Sequence, residues 1–251
     1  MEFKPHKTDG WINSPDRHDP AFDERVARIN ELYRDARRLR DAGVRVVSTD
    51  EKTGMQALEC AAPTLPTRCG DVEKREFEYV RHGTGTLIAT LDVATGSVIK
   101  GSLGSTRTEE DFVAHVRATV ATDPDATWVF VADQLNTHKS AGLVAAVAQL
   151  CGIEGDLGVK GKSGVLCTME SRAAFLEDPD HRIRFVFTPR HASWMNQIEI
   201  WFGILARKLL RRASFMSVAE LLERVRRFIG YFNETMAKPF RWTYGGRPCT
   251  T

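Results

Sequence analysis

A short, wholly apolar segment sets the strongest limit on how this chain folds. Residues 128–132 read Trp-Val-Phe-Val-Ala and contain no polar side chain. A strand without alternation of apolar and polar residues is typical of a sheet that helices cover on both faces. Segments with helical spacing precede and follow it in the sequence, over 109–121 and 140–150. The chain therefore fits a layered α/β class better than an all-α or an all-β class.

The other segments extend this prediction to a mixed sheet covered by helices. Alternating or apolar runs predict further strands over 44–48, 75–81, 87–93, 98–103 and 183–187. Short turns between 75 and 103 imply an antiparallel meander. Further helices are predicted over 21–39, 172–176, 194–212 and 218–236.

Composition excludes several classes of protein. No run approaches the ~20 apolar residues of a membrane span, and residues 1–20 lack an apolar signal segment. The 5 cysteines are scattered without a Cys-x-x-Cys pair, which argues against a disulfide framework and a zinc knuckle. We expect a protein of the reducing cytoplasm with no membrane partner.

Charge is distributed unevenly along the chain. Residues 181–251 carry 13 Lys and Arg against 4 Asp and Glu, whereas the rest carries 22 against 29. A basic C-terminal third is typical of proteins that bind a polyanion such as DNA. Solvated helix faces explain the same pattern equally well.

Three carboxylates occupy positions that suit metal binding. Asp50 and Asp133 each end a predicted strand, and Glu199 lies in the helix after the last strand. Side chains beyond the carboxyl ends of strands meet at one end of a sheet, where a divalent metal relieves their repulsion. Each residue also has an ordinary explanation, since the aspartates suit turns or helix caps and the glutamate suits a helix surface. The conjunction of all three favours a metal site.

Three ordered motifs carry a resemblance to a known family. They are 50–59 (Asp-Glu-Lys-Thr-Gly-Met-Gln-Ala-Leu-Glu), 133–139 (Asp-Gln-Leu-Asn-Thr-His-Lys) and 188–202 (Thr-Pro-Arg-His-Ala-Ser-Trp-Met-Asn-Gln-Ile-Glu-Ile-Trp-Phe). The chain resembles the DDE superfamily endonucleases, and among them the bacterial insertion-sequence transposases of the mariner-related branch. Residues 238–248 resemble the same branch, so the resemblance covers nearly the whole chain.

The resemblance implies an α/β fold of the ribonuclease-H-like type, with a mixed five-stranded sheet flanked by helices. The catalytic and metal-ligating triad maps to Asp50, Asp133 and Glu199, with two Mg²⁺ or Mn²⁺ ions per site. Asn196 and His138 map beside the triad. We expect Asn196 to share a helix face with Glu199, and His138 either to contact phosphate or to be structural.

The resemblance also implies DNA as the partner, both transposon ends and target DNA. Basic residues of the last third would position phosphates without reading sequence. These residues are Arg207, Lys208, Arg211, Arg212, Lys238 and Arg241. Trp242 and Tyr244 would either stack on a frayed base or pack on the domain. We further expect a homodimer, a separate N-terminal DNA-recognition domain and a location at the bacterial nucleoid.

The expected organisation has three parts. Residues 1–43 form a linker and a helix, 44–215 the catalytic domain, and 216–251 a basic helix and tail. The second and third acids are 66 positions apart, more than in many relatives, and an insertion over about 151–181 accounts for the excess.

The expected activity is metal-dependent DNA cleavage followed by strand transfer. Water attacks a phosphodiester at the transposon end, and the freed 3′-hydroxyl attacks target DNA. A catalytically silent DNA-binding remnant or regulator of a transposable element is one alternative, although all three acids are present. A glycosidase with paired carboxylates is another, but aromatic residues are only 9% of the chain and supply no sugar-binding platform.

Overall fold

The computed structural model describes residues 20–62, 65–72, 74 and 78–244. The predicted linker before residue 20 lies outside the described residues. Within this part of the chain, no helix is long and apolar enough to cross a bilayer.

Strands and helices alternate along most of the chain. The strands are β1 (Val44–Cys60), β2 (Tyr79–Asp92), β3 (Val98–Gly104), β4 (Thr127–Ala132) and β5 (Ile183–Phe187). The α-helices are α1 (Pro20–Asp41), α2 (Glu109–Val120), α3 (Ala141–Cys151), α4 (Met169–Leu176), α5 (Ile198–Leu205) and α6 (Val218–Thr235). 3₁₀ turns at Asn136–Lys139 and Ser193–Met195 follow β4 and precede α5, and a π-helical turn at Ala206–Leu210 continues α5.

One mixed sheet holds the strands in the order β3-β2-β1-β4-β5. β1, β4 and β5 run parallel, whereas β2 pairs antiparallel with both β1 and β3. The predicted mixed five-stranded sheet flanked by helices is therefore confirmed. The pairing of β1 with β4 ends at Ser48 and Val131, beside the last residues of β4 and β5. We call this edge the carboxyl end of the sheet.

β4 is buried on both faces, as its apolar sequence predicts. Trp128 and Phe130 pack with α2, α3 and α4, whereas Val129 and Val131 pack with α1 on the opposite face. α5 and α6 cover β1 and β2 on the same face as α1. The sheet is thus enclosed by two layers of helices.

β1 is longer than its sequence pattern indicates. The strand predicted to stop at residue 48 continues to Cys60, because the Asp-Glu-Lys-Thr-Gly signal is a bulge and not a stop. Gly54 has a φ of 64°, and the pairing register with β2 shifts beside it. β2 begins at Tyr79 and likewise runs without a break through residues 83–85, which the sequence presents as a turn.

The helix predicted over 194–212 is shorter than expected. A 3₁₀ turn occupies its start and Asn196 is extended, with φ −79° and ψ 109°, so α5 begins only at Ile198. Asn196 leaves the helical conformation because its side chain bonds to β1, as described below. The expectation that Asn196 and Glu199 share one helix face is therefore wrong.

We call residues 236–244, which follow α6, the C-terminal segment. Its aromatic residues pack on the domain. Trp242 lies edge-on against Tyr33, with 5.0 Å between ring centroids, and donates its indole N–H to Asn30 at 2.7 Å. Tyr244 packs edge-on against Trp194 at 4.5 Å. Of the two interpretations of Trp242 and Tyr244, the structure shows the packing one.

We expect Gly96→Ala to destabilise the protein more than Gly43→Ala. Both glycines have positive φ, 73° and 80°, so both substitutions carry about 1–2 kcal/mol of left-handed strain. A Cβ at Gly96 would also lie 1.9 Å from the carbonyl oxygen of Lys238, whereas one at Gly43 meets nothing within 4 Å. Urea unfolding should therefore show a larger loss in the free energy of unfolding for Gly96→Ala, and the difference measures the contact with the C-terminal segment. Equal losses in the two variants would contradict this prediction.

Candidate active site

Two of the predicted acids lie together at the carboxyl end of the sheet. The last parallel pair between β1 and β4 is Ser48 with Val131, and Asp50 and Asp133 each follow that pair by two residues. Because side chains two apart on a strand share a face, Asp50 extends from the face that α5 covers. Asp133 lies just beyond the end of β4, and its carboxylate bonds to the His138 ring. Burial, and then the charge of Asp133, raises the pKa of Asp50 to about 7.

Glu199 lies at the exposed rim of this region, in the first turn of α5. Partial burial raises its pKa, the Lys52 ammonium opposes this shift, and the Asp133 carboxylate adds to it. Its side chain makes no hydrogen bond with another described residue. The third acid is therefore close enough for its charge to interact with Asp133, without direct contact.

Asn196 joins β1 to the start of α5. Its side-chain amide donates to the Thr49 carbonyl at 2.9 Å and to the Asp50 carboxylate at 3.3 Å. Its oxygen accepts from the Ser48 hydroxyl, which accepts in turn from the backbone N–H of Ile198 at 2.8 Å. All five residues are buried, so water does not compete for these bonds. Asn196 thus orients Asp50 and fixes the first residue of α5.

His138 lies between two carboxylates and is fully buried. Its Nδ1 is 2.8 Å from Oδ1 of Asp133, and its Nε2 is 3.2 Å from both carboxylate oxygens of Glu51. Burial would lower the pKa of His138, but its bonds to Asp133 and Glu51 outweigh this and raise the pKa to about 10. Both ring nitrogens are engaged within the protein, so the contacts fit the structural interpretation of His138 and leave no donor for phosphate.

The imidazolium acts in return on Asp133. Burial would raise the pKa of this carboxyl, but the hydrogen bond and the charge of His138 outweigh burial and lower it. Asp133 is therefore ionised at neutral pH.

The carboxyl end of the sheet fits a divalent metal. Among the described residues, one group of at least three ligating side chains has donor atoms that all lie within 4.8 Å of one another, namely Asp50, Glu51 and His138. Asp133 bonds to this group through His138, and Glu199 lies outside it. Burial raises the pKa values of Asp50 and Glu199 more than the charges of His138 and Lys52 lower them, so a bound cation would stabilise both anions. His138 and Glu51 engage each other, so the donors left for a cation are carboxylate oxygens of Asp50, Asp133 and Glu199, which suit Mg²⁺ or Mn²⁺.

Glu51 and Ser48 are site residues that the motifs do not single out. Glu51 follows Asp50 directly, and it pairs across the sheet with Ile88 on the face that α2 covers. Its side chain is only 2% exposed. The two-residue period of β1, if continued through residues 50–59, predicts that the Glu51 side chain lies in the protein interior.

Four of the predicted DNA-binding residues form an unneutralised cluster. We call it the basic cluster, and it consists of Arg207, Lys208, Arg211 and Arg212. All four are exposed, and none forms an ion pair within the described part of the chain. The arginines of α6 differ, because glutamates of the same helix pair with Arg224, Arg226 and Arg227.

Lys238 and Arg241 are also exposed but lie elsewhere. The Lys238 carbonyl contacts the turn between β2 and β3. That turn is at the end of the sheet opposite to Asp50 and Asp133. The structure therefore does not bring Lys238 to the acids.

One mixed sheet thus carries Asp50 and Asp133 at its carboxyl end. The sequence model of the DDE superfamily endonucleases matches residues 45–222, more than two thirds of the chain. The chain belongs to this family. No curated protein matches it in sequence.

Solved structures of Mos1 transposase assemblies share the fold. The paired-end complex with the left transposon end has a TM-score of 0.57 and 13% identity over 94% of this chain and 61% of that chain. The mariner paired end complex with Mn has 0.54 and 12% over 93% and 60%, and the pre-cleavage transpososome has 0.54 and 13% over 92% and 60%. The ribonuclease-H-like fold is thereby confirmed. The chain spans about 60% of the length of these Mos1 chains.

We expect Asp50→Asn to stabilise the metal-free protein at pH 8. The pKa of Asp50 is about 7 in the folded protein and 3.8 ordinarily, so wild-type stability falls as pH rises through this window. The advantage of the variant therefore grows from about pH 4 to pH 7. Thermal unfolding in EDTA should show a gain of a few degrees at pH 8 and a smaller one at pH 5. An equal gain at both pH values would contradict the shift.

Proposed function

We propose that this chain is the catalytic part of a DNA transposase, of the mariner-related branch found in bacterial insertion sequences. The observation that carries the proposal is the proximity of Asp50 and Asp133, just beyond the last pair of β1 and β4, in a DDE superfamily endonuclease. The reaction is hydrolysis of a phosphodiester at a transposon end, followed by attack of the freed 3′-hydroxyl on target DNA. It takes place at the bacterial nucleoid, in the cytoplasm.

In this proposal Asp50, Asp133 and Glu199 hold two Mg²⁺ or Mn²⁺ ions. Bound divalent ions supply Lewis-acid activation of the attacking and leaving oxygens. The protein supplies position, since Asn196 orients Asp50 and His138 fixes Asp133. Both contacts are made within the protein itself, the first buried and the second partly buried, so neither group has to reorganise at the moment of reaction.

The basic cluster positions the DNA backbone. Arg207 and Lys208 lie in the π-helical turn that continues α5, and Arg211 and Arg212 follow that turn. At 1.5 Å per residue, the cluster lies about 12–20 Å beyond Glu199. Phosphates that flank the scissile bond are within that reach. Such contacts do not read sequence, so recognition of transposon ends falls to a separate N-terminal domain. A homodimer would hold two ends, and one of the similar Mos1 structures is named a paired-end complex.

The proposed boundaries are those that the motifs suggest. Residues 44–215 form the catalytic domain, with an insertion over about 151–181 that contains α4. Residues 1–43 connect it to the DNA-recognition domain, and residues 216–251 support it with α6 and the C-terminal segment.

We expect Asp133→Asn to abolish metal-dependent nicking of supercoiled DNA, by at least about 100-fold, because a metal ligand is lost. DNA binding should be unchanged or tighter, because a negative charge is removed. The assay compares Mg²⁺, Mn²⁺ and EDTA. Asp125→Asn is the matched control, since Asp125 is exposed before β4.

Nicking that persists in Asp133→Asn or in EDTA would contradict the proposal. DNA binding without any nicking by the wild type would instead indicate a silent remnant or regulator.

We expect the double variant Arg211→Gln, Arg212→Gln to bind DNA with a weaker salt dependence. Each neutralised phosphate contributes about 0.9 to the slope of log K against log salt concentration, so the slope should fall by up to about 1.8. The matched control is Arg226→Gln, Arg227→Gln, two exposed arginines that both pair with the carboxylate of Glu223. Equal slopes for the two double variants would remove the basic cluster from the DNA interface.

A further inference from the structure

Glu51 is a buried carboxylate that the proposed metal chemistry does not use. Its side chain is 2% exposed, and its hydrogen-bond partner in the structure is His138, which is itself 0% exposed. A carboxylate this deeply buried is costly unless it is paired and hydrogen-bonded. The cost calls for a role that a surface glutamate would not fill.

The contacts form one chain from Glu51 through His138 to Asp133. Nε2 of the ring meets Glu51 at 3.2 Å, and Nδ1 meets Oδ1 of Asp133 at 2.8 Å. The ring also packs on Phe112, with 4.3 Å between centroids. Packing confines the plane of the ring, but half a turn about its bond to Cβ would exchange nitrogen and carbon positions. Glu51 opposes this ring flip, because only the observed orientation presents a ring N–H to Glu51 and another to Asp133.

This orientation distinguishes the two oxygens of Asp133. Oδ1 accepts from the His138 ring and from the backbone N–H of Leu135 at 2.9 Å. Oδ2 accepts no hydrogen bond from any residue that the structure describes. One oxygen is thus held by the protein, and the other is left for a ligand.

We propose that Glu51 is a positioning residue, which acts through His138 to hold Asp133 by Oδ1 and so to leave Oδ2 for the metal. The inference rests on the proposed function, because it takes Asp133 as a metal ligand. Glu51 itself touches neither metal nor DNA. Partners that orient a metal ligand in this way typically contribute about 10–100-fold to metal affinity.

The test is the Mn²⁺ affinity of the full chain, measured by electron paramagnetic resonance without DNA. Glu51→Met keeps the side-chain length and removes both acceptor oxygens, and it should raise the Kd about 10–100-fold. Glu51→Gln keeps one acceptor and should recover most of the affinity. The matched control is Glu59→Met, because Glu59 lies on the same strand and pairs with His82 at 2.7 Å near the surface. Its Kd should equal that of the wild type.

A second measurement reads the ring directly. Nitrogen NMR of labelled histidine should show one state of the His138 ring in the wild type and in Glu51→Gln, and two in Glu51→Met. An unchanged Kd and a single ring state in Glu51→Met would overturn the proposal. A loss of affinity that Glu51→Gln does not restore would also overturn it.

A double variant separates positioning from direct ligation. If Glu51 acts through His138, then adding Glu51→Gln to His138→Gln leaves the Kd of the single His138 variant unchanged. A further rise in Kd would mean that Glu51 binds the metal itself, and the positioning role would be wrong.

These readouts also separate the inference from the proposed function. A wild type that binds Mn²⁺ but leaves DNA intact contradicts the function alone, since the Glu51 series is still measured as Kd. A Glu51→Met protein that cleaves DNA and binds Mn²⁺ as the wild type does contradicts the inference alone.

Discussion

The parallel pairing of β1 with β4 is the constraint on which the candidate site depends. The hydrogen bonds between these strands end at Ser48 and Val131, and this register places Asp50 and Asp133 side by side. A slip by one residue would turn one of the acids to the other face of the sheet. Residues 128–132 of β4 are almost inaccessible to solvent, so apolar burial on both faces opposes such a slip.

The burial that secures this register makes the charges costly, and the protein compensates them unequally. His138 brings a positive charge into contact with Asp133, which lowers the pKa of that acid. Burial and the charge of Asp133 raise the pKa of Asp50, and the charge of His138 lowers it by less. The pKa of Asp50 is therefore raised to about 7. One acid is thus an anion without a metal, whereas the other exchanges its proton near neutral pH and gains most from a bound cation.

Sequence patterns predict the bounds of elements that are set by apolar burial. They miss the bounds that are set by a bulge or by side-chain hydrogen bonds. β5 has its predicted bounds, residues 183–187, because both of its faces are covered. The bulge at Gly54 instead prolongs β1, and the bonds of Asn196 to β1 delay the start of α5. Asp133 follows the predicted end of β4, whereas Asp50, predicted to end a strand, lies inside β1. The two-residue period of β1 could have placed Glu51 in the interior but not beside His138, because His138 is 87 residues away and no spacing rule connects the two.

The contacts of the C-terminal segment have a consequence for the order in which the chain folds. Trp242 bonds to Asn30 across 212 residues, so α1 completes its packing only after the residues up to Trp242 have been synthesised. Contacts of such sequence separation carry a large loop-closure entropy and slow folding. Until then the ring of Tyr33 on α1 lacks its aromatic cover. Newly made chains therefore pass through a stage in which this apolar surface is open to chaperones or to other chains.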